Sequence, residues 1–191
     1  MKERLQNRKS DSSNFIVLLF IVGYLLMDFL PSFKTIERYS PQFLYLALVN
    51  IVIGVYCYCN PKIVSQNLIS IYRNSTVLKI YTAFLFFCAI SIITASNVSL
   101  AVVAFSKLLI IFCVFLNLTV LLYNRLDLLF KIAFIVGISM LIQSSLILFD
   151  FSKTLDLSTI KGNSGNVNIL AASFNIKIPF LILGIIHFSN W

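Results

Sequence analysis

LAVVAFSKLLIIFCVFLNLTVLL, Leu100 to Leu122, carries a single charge, Lys107, over its whole length. At about 1.5 Å of rise per residue, such a run makes a helix that crosses a hydrocarbon core about 30 Å thick. A membrane β-barrel strand would be about 10 residues long and would alternate in polarity; this run does neither. Similar apolar runs occupy about 14–30, 42–59, 78–95, 128–149 and 169–188. Overall 59% of residues are hydrophobic and 12% are charged, against about 45–50% and 25% in soluble domains. Mean hydropathy is +0.94. The expected fold is an all-α polytopic transmembrane helix bundle of about six spans, with residues 14–191 as one transmembrane domain behind a basic tail, 1–13.

The punctuation between runs supports that division. Pro31 closes the first run, Pro41 precedes the second, and Asn60-Pro61 ends it. The first run follows a basic stretch but lacks a small-x-small cleavage pattern, so it reads as an uncleaved span. Lys62 to Thr76 is a polar connection with a short interfacial stretch, VSQNLISIY, too interrupted to span. Ser96-Asn97-Val98-Ser99 is so short a turn that the third and fourth spans pair as an antiparallel hairpin. Trp191 sits where an interfacial aromatic belongs.

Net charge is +8, and the basic residues lie mostly in short connections. Membrane orientation therefore explains them, and nucleic acid is not an expected partner. With the N-terminus inside, Lys2, Arg4, Arg8, Lys9, Lys62, Arg73, Lys79, Arg125 and Lys131 are cytoplasmic; Lys34, Arg38, Lys153 and Lys161 are outside. That imbalance predicts both ends cytoplasmic in a multi-pass membrane protein.

Few residues offer chemistry. The single histidine, His187, and the scattered Cys57, Cys59, Cys88 and Cys113 give no metal-ligand or disulfide spacing, so no metal or cofactor is expected and the thiols read as buried. Asp28 lies near the end of its run, where a carboxylate reaches the interface. Lys107 is about 10 Å deep, within snorkelling reach. Lys177 is deeper, where a cation costs at least about 2.5–3.5 kcal/mol and needs a protein interior, a cavity or an acidic partner. Asn175 and Pro179 flank it, and the proline removes the amide that would bond the Asn175 carbonyl.

KGNSGNVNILAASFNIKIP, Lys161 to Pro179, departs most from a plain membrane span. Asn166 or Asn168 is a candidate N-cap for a helix starting near Ile169. The amides of a helix N-terminus favour anions such as phosphate, Lys161 adds charge, and Gly162 and Gly165 permit close backbone approach. Lys161, the Gly162–Asn168 amides and Lys177 thus form one candidate anion-receptive track. Lys177 lies about 12 Å beyond Ile169, too far to share one pyrophosphate with the cluster. The competing reading is an ordinary capped helix start.

Gly165-Asn166-x-Asn168-x-Leu170-Ala171, opening a span that carries Pro179, resembles the O-antigen ligase/polymerase superfamily. The Ser-Asn-Val-Ser turn before the span bearing Lys107 is similar to a hairpin in that family. The resemblance implies an inner-membrane protein handling undecaprenyl-pyrophosphate-linked oligosaccharides in surface polysaccharide biosynthesis, with Lys161, Gly162, Gly165, Asn166, Asn168 and Lys177 near the lipid-linked substrate. Family members have about twice as many helices and a large periplasmic loop bearing the functional Arg and His. Residues 1–191 correspond to the N-terminal half alone, a C-terminal half is the implied partner, and no catalytic residue carries over. The alternative is a non-catalytic transporter or accessory subunit, in which Lys107, Asn117, Asn175 and Lys177 would face one cavity.

Overall fold

The computed structural model describes residues 2–31, 39–155 and 167–189. Seven α-helices appear in chain order: α1 Lys2–Leu25, α2 Ser40–Cys59, α3 Pro61–Asn74, α4 Thr76–Ser91, α5 Val98–Leu122, α6 Asp127–Thr154 and α7 Val167–Ser189. No strand occurs among the described residues. The chain is an all-α, multi-pass type of membrane protein: Ser40–Cys59, Thr76–Thr94, Val98–Leu122, Leu128–Lys153 and Asn168–His187 are each long and apolar enough to cross a bilayer. Lys34, Arg38 and Trp191, used for orientation and interface, lie outside the described residues.

Among the described residues five helices, not six, reach spanning length, because the first run falls short. Its apolar part is Asn14–Phe29. The helix tightens to a 3-10 turn at Leu26–Phe29, and Leu30 is extended (φ −72°, ψ 126°), as a residue before proline must be. Upstream, α1 continues to Lys2 through the polar and charged residues expected to form a tail, so the apolar stretch cannot lengthen that way. An odd number of crossings separates the two ends, so the two-ended cytoplasmic arrangement requires α1 to cross.

The helices form two compact units. One combines Met1–Gln42 with Asn124–Trp191, and the other is Phe43–Tyr123. In the second unit, Asn60 ends α2 by donating its side-chain amide to the Tyr56 carbonyl (2.9 Å), and Pro61 opens α3. The polar connection is thus a full helix of 14 residues, about 21 Å long and too short to span. Ser75 caps α4 by accepting from the Leu78 amide (3.2 Å), and Asn97 caps α5 by accepting from the Leu100 amide (3.0 Å). The α4–α5 hairpin expected from the short turn is present, with Tyr81 of α4 edge-on to Phe112 of α5 at 5.0 Å between ring centres. Ile71, Leu78 and Val120 form a small core joining α3, α4 and α5.

Deeper in this unit, the Asn117 amide donates to Asn50 Oδ1 (2.9 Å) and the Asn50 amide donates to the Ile110 carbonyl (3.1 Å). These bonds tie α2 to α5 where lipid offers no substitute partner. Asn117→Val is expected to destabilise the chain by about 1 kcal/mol, within the range of interhelical hydrogen bonds in membranes; reversible unfolding in mixed micelles measures it.

The first unit is built on an antiparallel pair, α6 and α7. Gln143 meets Lys177, Gly137 faces Leu181, Gly184 faces Ala133 and Phe134, and Phe130 stacks on His187 at 3.9 Å between ring centres. One helix descends as the other climbs. The approach is close: a Cβ on Gly184 would lie 3.5 Å from the Phe134 backbone nitrogen, in ordinary contact, with little room for anything larger. Midway along α1, Asn14 Oδ1 accepts from the Arg125 guanidinium (3.2 Å), tying the turn before α6 to α1. The preceding Asn124 adopts φ 57°, a left-handed conformation asparagine tolerates. α6 runs to Thr154, five residues beyond the expected end of its span.

The thiols are not buried within protein, contrary to expectation. Cys59 is exposed and Cys57, Cys88 and Cys113 are half-buried, all unpaired by disulfide. In a spanning helix a burial preference is met by lipid as well as by protein, so an apolar neighbourhood in sequence does not imply a protein core.

Candidate functional site, an intramembrane ion pair midway along α7

Lys177 is 9% exposed, ten residues into α7. Its ammonium donates to Asp28 Oδ2 at 2.5 Å and to Gln143 Oε1 at 3.0 Å. Three elements meet there: the 3-10 turn ending α1, the middle of α6, and α7. The carboxylate keeps 21% side-chain exposure against 11% for the lysine. A bare ammonium in hydrocarbon is costly, and a carboxylate plus an amide oxygen offset that cost with charge-assisted bonds.

This corrects the reading of Asp28. Its carboxylate turns to Lys177, 149 positions away, because a buried ammonium leaves it a stronger partner than the interface. It also replaces Asn175 as the neighbour of Lys177, since Asn175 is exposed on another face of α7. Pro179 lies inside α7, which continues through it to Ser189.

Ser139 lies one turn before Gln143 and on the same face of α6. It is 7% exposed, and among the described residues its hydroxyl is the buried side-chain polar atom without a hydrogen-bond partner. The reading of the sequence passed over both Ser139 and Gln143. Their four-residue spacing inside an apolar run was the available signal, since it aims two polar groups at one neighbour.

Of the anion-receptive track, Lys161, Gly162, Gly165 and Asn166 lie outside the described residues. α7 begins at Val167, so Asn168 falls in the first turn, exposed, rather than at the N-cap. Lys177 is bound to Asp28 and Gln143 as described. Lys107 belongs to the other unit, where its ammonium lies 5.6 Å from the centre of the Phe43 ring, a cation–π distance. Asn117 is bonded to Asn50 in that same unit. Lys107 and Asn117 thus belong to one unit, and Asn175 and Lys177 to the other.

No family model, curated protein or solved structure matches this chain.

Proposed function

We propose that this chain is the N-terminal, membrane-embedded portion of an O-antigen ligase/polymerase-like protein of a bacterial inner membrane. On this reading it holds an undecaprenyl-pyrophosphate-linked oligosaccharide, with the pyrophosphate at Lys161 to Asn168, and catalytic groups come from a C-terminal half. The carrying observation is the Gly165-Asn166-x-Asn168-x-Leu170-Ala171 element, which runs directly into a spanning helix that starts at Val167. A helix start offers unpaired amides to phosphate without burying a bare charge. An apolar groove of about 540 Å³, lined in part by Gly137, Leu141, Leu181 and Gly184, runs beside the same helix and suits an isoprenoid chain. Lys177, neutralised by Asp28, then seats α7 and takes no part in holding the phosphates.

Binding of labelled undecaprenyl pyrophosphate to the chain in nanodiscs tests this assignment. Asn166→Ala with Asn168→Ala is expected to weaken binding at least about tenfold, the loss of one to two charge-assisted hydrogen bonds. Asp28→Asn with Lys177→Met, which removes both charges together, is expected to leave it unchanged. Loss of binding in the second variant with retention in the first overturns the assignment and moves the phosphates to mid-membrane.

A further inference from the structure

Residues 43–123 contain Lys62, Arg73, Lys79 and Lys107 and no aspartate or glutamate; all seven acids of the chain lie elsewhere in the sequence. Two of those cations flank the α3–α4 junction, Arg73 in the last turn of α3 and Lys79 in the first turn of α4. Lys79 donates to the Arg73 carbonyl (2.9 Å), which places its ammonium over the C-terminal end of α3, where the helix dipole favours a cation. Of its three donors, one goes to this carbonyl.

Beside the junction is an apolar groove of about 620 Å³, within the size range of about 300–1,000 Å³ typical of ligand sites. Leu68, Leu78, Phe112 and Leu116 make its floor, while Tyr72 and Arg73 stand exposed at its rim. Thr82, also in the wall, turns its hydroxyl back to the Leu78 carbonyl (2.8 Å), so the wall offers an apolar surface. Because α3 is too short to span and is followed at once by a spanning helix, the junction belongs at the bilayer interface.

We propose that this groove binds an anionic glycerophospholipid, with one acyl chain on the Leu68–Leu78–Phe112–Leu116 floor and the phosphodiester between Arg73 and Lys79. Charge selects the occupant. A zwitterionic lipid fills the groove equally well but leaves two cations uncompensated in a unit whose sequence has no carboxylate. Clustered interfacial basic groups recognise anionic head groups in this way.

The test is native mass spectrometry of the full chain released from nanodiscs holding equal amounts of phosphatidylglycerol and phosphatidylcholine with identical acyl chains. The wild type is expected to retain phosphatidylglycerol in preference. Arg73→Gln with Lys79→Gln is expected to reduce that preference by about 30-fold, the factor two interfacial cations supply. Ile69→Trp adds bulk at an exposed position of the groove wall and is expected to lower retention of both lipids alike, with helicity unchanged by circular dichroism. Equal retention of the two lipids by the wild type, or a preference that survives loss of both cations, overturns the proposal. So does efficient cross-linking of two chains through Ile69→Cys, which would make a second copy the occupant.

Discussion

Lys177→Met is expected to destabilise the chain by about 3 kcal/mol or more, and Asp28→Ala by a similar amount. Each leaves one buried charge without its counter-ion, and breaking such a pair costs about 3–5 kcal/mol. The lower end is expected here because the Asp28 side chain keeps 21% exposure. In Lys177→Met, Gln143 also loses the donor to its Oε1. Asp28→Leu with Lys177→Met removes both charges, and its stability is expected to return to near that of the wild type, since apolar replacement of a whole buried pair is often neutral. Reversible unfolding in mixed micelles, run as a double-mutant cycle, reads the coupling directly. Additive single effects would mean that the two charges do not depend on each other.

This pair also marks where the sequence stops being readable. Helix type and most boundaries were legible because they are local. Apolar runs of spanning length, Asn60-Pro61, and the short Ser96-Asn97-Val98-Ser99 turn act within a few positions of themselves. The spanning capacity of the first run was overestimated because its apolar part, Asn14–Phe29, is confined between the polar residues before it and Pro31. Lys177 was legible as a cation needing a partner, but its partner was not. Asp28 and Lys177 are separated by 149 positions, and nothing local distinguishes a carboxylate that faces the interface from one that faces a lysine. The Asn50–Asn117 bond was hidden for the same reason. Gln143 and Ser139 were within reach, since two polar residues four apart in an apolar helix must face a common neighbour.

The second large effect is expected at Gly184. A methyl group there meets the backbone of Ala133 and Phe134 at 3.5–3.6 Å, ordinary contact distance, so Gly184→Ala is expected to be nearly neutral. A branched side chain has no such room, because backbone atoms cannot rotate away. Gly184→Leu is expected to force α7 off α6 at a cost of about 2–3 kcal/mol, the upper range for overpacked interiors. Gly137 behaves differently: its added Cβ would approach the end of the Leu181 side chain at 2.9 Å, which can turn aside. Gly137→Ala is therefore expected to cost well under the Gly184→Leu figure. Unfolding midpoints of the three variants check the order. A Gly184→Leu variant as stable as the wild type would show that α6 and α7 are not in close backbone contact at this point.

The claim on which the rest depends is that Lys177 is matched to Asp28 and not held open for a substrate anion. Exchanging the charges, Asp28→Lys with Lys177→Asp, tests it most directly by folded yield and unfolding free energy in one detergent. Each single exchange sets like charges against each other and is expected to abolish folding or nearly so, while the double exchange recovers a folded chain. A double exchange no better than the worse single one would contradict the pairing.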